Sequence, residues 1–123
     1  GGGDGVNKQD CKMGFWLFAS KAGVSKVGHY SASSPAVNID MGFTPKIFMV
    51  KQTHSGNSLD ANAWRWYGTS SGIGYSKSMY SNGVGFGNAG PTVISTSATG
   101  VTLPYGNNST NADNRKYIYY AHA

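Results

Sequence analysis

Three histidines, five acidic residues and one cysteine are the groups with which this chain could do acid–base, nucleophilic or metal chemistry. Every acidic residue is an aspartate. His29, His54 and His122 stand far apart, and only Asp60 lies near one of them, in the loop of His54. Zinc ligands usually come as close pairs such as CxxC or HxxxH, and neither spacing occurs. General acid–base work needs carboxylates or a base held together, and covalent catalysis needs a nucleophile beside its base. Asp4, Asp10, Asp40, Asp60 and Asp113 are scattered, no GxSxG is present, and Cys11 sits between Asp10 and Lys12 without a family signature. The segment Gly85-Phe86-Gly87-Asn88-Ala89-Gly90 satisfies GxGxxG formally, but Pro91 and the β-branched run Thr92 to Ile94 follow where a pyrophosphate-binding helix would have to start. It reads as a tight loop around one anchored Phe. The reading is therefore a protein that is not an enzyme, with no catalytic, cofactor-binding or metal-binding residues assigned.

Aromatic residues carry more functional content. Trp64, Trp66 and Tyr67, with Tyr75 and Tyr80 soon after, stand beside polar, turn-rich segments. Rings flanked by Asn, Asp and Arg suit the faces of sugars, and Trp, Tyr and Arg are enriched at protein interfaces. Side chains alternate across a strand, so Trp64 and Trp66 share one face while Arg65 and Tyr67 share the other. Trp64 and Trp66 are expected in the core. Arg65, Tyr67 and Tyr75 are the candidate ligand or receptor surface.

The elements that would hold these residues are strands. With 18 Gly, few charges (12%) and no Glu, the chain lacks material for exposed helix faces, yet 13% aromatics is too many for disorder. Short apolar runs punctuated by Gly, Pro, Asn and Ser predict strands at 13–19, 25–31, 36–41, 46–53, 62–68, 74–80, 84–86, 92–96, 99–103 and 115–121. The nearly continuous apolar runs 46–50 and 117–121 are the expected central strands. Spacings of roughly 8 to 12 residues between strands predict an all-β, antiparallel β-sandwich, jelly-roll-like and loop-rich, with little or no helix. Residues 1–12 read as a flexible Gly-rich segment or linker, and 13–123 as one domain. Loops are expected at 53–62 and 105–114, the second containing overlapping glycosylation sequons at Asn107 and Asn108 that read as turn chemistry.

Charge and cysteine usage narrow the partners. The net charge of +5 is spread along the chain, with only Arg115 and Lys116 adjacent, so it reads as surface charge and not as a nucleic-acid groove. A single cysteine forbids an intrachain disulfide. No apolar segment approaches membrane-spanning length.

Several segments resemble a domain common in bacteriophage tail and fibre proteins. They are Phe15-Trp16-Leu17-Phe18, Val27-Gly28-His29-Tyr30-Ser31, Gly42-Phe43-Thr44-Pro45-Lys46 leading into Ile47 to Lys51, Ala63 to Tyr67, and Tyr117-Ile118-Tyr119-Tyr120-Ala121-His122-Ala123. Their order and spacing match the family's GFxPxxxxxK, WxxY and YxYxAFA pattern over about residues 14 to 123. Two departures are His122 in place of the final Phe, and His29 to Ser33 in place of the family's YtGnG. The resemblance implies a virion protein with a β-sandwich, of tail-fibre or spike type, attaching to a host surface glycan or protein by binding. It further implies contact with other virion subunits and a homo-oligomer, with a trimer typical of fibres. Alternatives are a capsid decoration or head-fibre protein, and a carbohydrate-binding, lectin-like module of a larger protein.

Overall fold

A computed structural model of the chain describes residues 15–53, 64–68, 76–79, 86–88, 94–106, 110–112 and 114–123. Nine strands occur among them: β1 (Ser25–Ser31), β2 (Ala36–Asp40), β3 (Ile47–Gln52), β4 (Trp64–Gly68), β5 (Ser76–Met79), β6 (Phe86–Asn88), β7 (Ser95–Thr96), β8 (Gly100–Pro104) and β9 (Lys116–His122). No helix is present among the described residues. All pairings are antiparallel and form two sheets, ordered β1-β9-β3-β4-β5-β6 and β2-β8-β7. The fold is the expected all-β sandwich. Its division into six and three strands differs from the eight strands of a regular jelly roll.

Alternation along each strand explains how the sheets meet. Tyr117, Tyr119 and Ala121 of β9, Phe48 and Val50 of β3, and Tyr67 of β4 turn inward from the large sheet. Val37 and Ile39 of β2 and Val101 and Leu103 of β8 complete the core from the small one. Phe48 lies against both Tyr67 and Tyr119, with ring centroids 6.2 and 5.8 Å away, and Tyr30 stacks on Tyr117 at 5.0 Å. The two expected central strands, β3 and β9, are neighbours in the middle of the large sheet.

The segment GFTPK builds the corner between the sheets. Gly42 takes a left-handed φ of 76°, its amide donating to Asp40 Oδ1 and to Thr99 O. Phe43 then enters the core, Thr44 Oγ1 donates to Ala98 O, and Pro45 is fully buried. Lys46 N donates to His122 O, which starts β3 in register beside β9. Beside this corner, where Gly100 pairs with Asp40, the β2–β8 ladder is tight. A Cβ on Gly100 would meet Ile39 O at 2.0 Å, so β2 and β8 pair closely only because that position has no side chain.

One expected strand, 13–19, is not formed by its described residues 15–19. Residues 15–19 have no strand pairing, nor does Ser20 after them, and Phe15, Trp16 and Leu17 are exposed. A continuous apolar run reads alike whether it is covered by neighbours or projects from the domain. Residues 1–12, with Cys11 and the proposed linker, lie outside the described residues.

Candidate functional site

The two Trp and the Arg–Tyr pair of β4 lie on the faces opposite to those expected. Register sets the phase: Phe48 pairs with Tyr67 and Val50 with Arg65, and Phe48 and Val50 are fully buried. Arg65 and Tyr67 are therefore interior residues, with 6% and 2% exposure, and neither presents a surface to a ligand in this chain. Trp64 and Trp66 are half-buried on the outer face, where Lys51 Nζ lies 6.0 Å from the Trp64 ring centroid. Tyr75 falls outside the described residues, as do His54, Asp60, Asn107 and Asn108.

The structure instead forms a polar cleft of about 390 Å³ at one end of the sandwich, between the β1–β2 connection and the start of β9. Its lining is Ser31, Ala32, Ser33 and Ser34 on one side, and Asn114, Arg115 and Lys116 on the other. The two walls are tied together, because Ala32 N donates to Arg115 O at 2.9 Å.

Asn111 braces the serine wall. This side chain is fully buried, accepts from Ser33 N at 3.0 Å through Oδ1, and donates through Nδ2 to Ser33 O and Leu103 O, both at 3.0 Å. Three bonds from one amide fix the Ser33 backbone at both its donor and its acceptor. The segment behind it is held in turn by Tyr30 Oη, which donates to Thr110 O, and by Ala112 N, which donates to Tyr117 Oη. Burial raises the Tyr30 phenol pKa far above its ordinary value, and Tyr117 and Tyr67 push it further in the same direction. Burial raises Tyr117 as well, opposed by the Ala112 amide and by Arg115.

On the basic wall, Asn114 adopts a left-handed φ of 56°, a conformation Asn tolerates, and this turns the chain into β9. Arg115 Nη1 donates to Gln52 Oε1 at 2.9 Å, which orients the guanidinium plane. Lys116 O accepts from Thr53 N and Thr53 Oγ1. Three serines, an asparagine and two basic residues thus line one concavity, residue types suited to a hydroxyl-rich ligand carrying a carboxylate or another anionic group.

Acidic and metal-binding residues do not gather here. Asp40 is the one aspartate among the described residues, and no group of three or more His, Cys, Asp or Glu occurs among them. His29 and His122 both lie on strands β1 and β9, but His122 pairs across from Ser25, four residues along β1 from His29. His122 Nδ1 is instead 3.1 Å from Tyr120 Oη. The cleft was missed in the sequence because its walls come from segments some eighty positions apart and built of small polar residues. The one available signal was the adjacency of Arg115 and Lys116.

No family model, curated protein or solved structure matches the chain.

Proposed function

We propose that this chain is a structural module of a bacteriophage particle, of tail-fibre or spike type, which contributes to host attachment by binding and not by catalysis. The observation that supports binding is the cleft lined by Ser31 to Ser34 and Asn114 to Lys116, whose serine wall is held by the Asn111 amide. The virion setting rests on the ordered resemblance of the segments around Gly42 to Lys51, Trp64 to Tyr67 and Tyr117 to Ala123. A host surface glycan bearing acidic groups is the ligand class that the lining suits. Weak single sites would be compensated by several copies acting together.

The test is binding of the whole chain, displayed multivalently, to host cells and to an array of neutral and acidic glycans. Retention of acidic glycans is expected, with a loss of about tenfold or more when Arg115→Ala and Lys116→Ala are combined, as for removal of charge-assisted bonds. Absence of binding to both cells and glycans would defeat the attachment reading. A carbohydrate-binding module of a larger protein shares the same cleft, and binding to free polysaccharides without binding to cells would favour it.

A further inference from the structure

The segment before β1 is apolar and uncovered. Phe15, Trp16 and Leu17 are 75%, 81% and 94% exposed, and Phe18 is 46% exposed. The first turn after it is firmly held: Lys21 and Ser25 pair backbone to backbone, Ser25 Oγ donates to Ala19 O, and Val27 N donates to Ser20 Oγ. These bonds fix where the arm leaves the domain. Phe18 lies on the domain's own surface, with its ring centroid 4.5 Å from that of Tyr120 on the outer face of the large sheet.

That outer face is itself apolar across four strands. One cross-strand row runs Val27, Tyr120, Met49, Trp66 by register, with Met49 buried and Tyr120 and Trp66 half-buried, and Ile118 and Ile47 flank Tyr120 on β9 and Met49 on its neighbour β3. Val27, Ile47 and Ile118 are among the exposed large hydrophobic residues. His29, Lys51 and His122 lie around this band on the same strands, a polar rim about an apolar centre as in protein interfaces.

We propose that the Phe15 to Leu17 part of the arm of one copy packs on the outer face of β1, β9, β3 and β4 of the next, beside that copy's own Phe18–Tyr120 contact, joining copies of this chain into a closed homo-oligomer. Phe18 on Tyr120 shows within one chain that the face accepts a ring from this arm. Area supports a second copy as the occupant. Aromatic side chains bury about 150–250 Å² each, so the exposed part of the arm carries roughly 500–600 Å². An equal area covered on the neighbour brings each contact to about 1,000 Å² or more, the size at which specific interfaces begin. Arm and face both belong to every copy, so the contact is head-to-tail, and a rotation that closes joins the copies into a ring where one that does not would give an open filament. The proposal deepens the homo-oligomer of the reading above, but it depends on subunit contacts alone and not on the cleft.

Sedimentation velocity of the whole chain under reducing conditions, across the micromolar range, is the test. A mass of two or more chains in a closed species is expected. The double variant Trp16→Ser, Leu17→Ser and the face variant Ile118→Lys should each shift the midpoint of association by more than about tenfold, since both alter a contact centre. Far-UV circular dichroism of both variants should match the parent, because the altered residues are exposed. Mixing the two variants should restore a contact, as one supplies the face and the other the arm. A monomeric parent, or an arm variant that associates as the parent does, overturns the proposal. So does a face variant that still associates fully while the arm variant does not, because arms would then be meeting arms.

Discussion

Tyr67 shows at the scale of one residue what decides between an interior and an exterior side chain. Period-two alternation separates Arg65 and Tyr67 from Trp64 and Trp66, but both sets carry aromatic rings, so the pattern has no preferred phase. Pairing with Phe48 and Val50 chooses it. Tyr67→Ala is expected to cost roughly 3–5 kcal/mol, the range for emptying a large buried aromatic site, whereas Trp64→Ala should cost clearly less. Urea titration of the two variants checks the order, and equal losses would contradict the assignment of faces. A second consequence belongs to the tyrosines of the core. Tyr30, Tyr117 and Tyr119 all have pKa values raised chiefly by burial, so their neutral forms are favoured in the folded state. The unfolded chain loses these protons at about pH 10, so their contribution is fully present below that value and falls as pH rises from there toward the folded pKa values. Absorbance in the tyrosinate band should show a fraction of the eight tyrosines titrating only together with the loss of near-UV dichroism. Smooth ionisation of all of them in a protein that stays folded would refute this.

Among the elements, strands were legible and their surroundings less so. Seven-residue β1, and β2, β3, β8 and β9, fall within a residue or so of the runs read from turn punctuation, because Gly, Pro and Asn interrupt the apolar segments where the chain turns. The apolar run at 13–19 carried no such information about covering, and Phe15, Trp16 and Leu17 within it are exposed while Phe18 lies on Tyr120. The cleft was illegible for another reason. Its geometry depends on Asn111, whose three bonds reach to Ser33 and Leu103, and a lone Asn in a polar loop looks like any turn residue. Asn111→Ala removes all three bonds; the Ser33 groups are exposed and can turn to water, whereas the buried Leu103 carbonyl loses this donor, at a cost of about 1–3 kcal/mol. Thermal unfolding should register that loss, and hydrogen exchange should quicken at Ser33 while the β3–β4 ladder stays protected. Unchanged exchange at Ser33 would mean that the brace is dispensable. On the edge strand β1 of the large sheet, Gly28 has a related role: a Cβ there would meet the Tyr119 side chain at 2.6–2.8 Å, so the glycine leaves room for that phenol.

For the molecule as a whole, the two sheets divide the surface into regions of different chemistry. The end formed by Ser31 to Ser34 and Asn114 to Lys116 is polar and concave, whereas the outer face of the large sheet is broad and apolar. The inner face joins them mechanically, since Tyr30 and Tyr117 belong both to the core and to the bracing of the cleft. Ligand binding and self-association are therefore expected to be separable. Arg115→Ala with Lys116→Ala should leave the sedimentation behaviour unchanged, and a collapse of the oligomer in that variant would show that the two regions are coupled.

The position of β9 has a bearing on how the chain acquires its structure. It follows every other strand in sequence yet lies between β1 and β3, so β1 has no strand partner until β9 arrives, and the contact spans nearly the whole chain. Such long-range closure makes folding slow and leaves the edge of β1 open meanwhile. A chain ending at Arg115 should remain incompletely structured, and a synthetic peptide of residues 116–123 should restore its near-UV signal by insertion into the waiting slot. The last strand would then serve as a detachable key, and this domain as one that can be switched on by adding it.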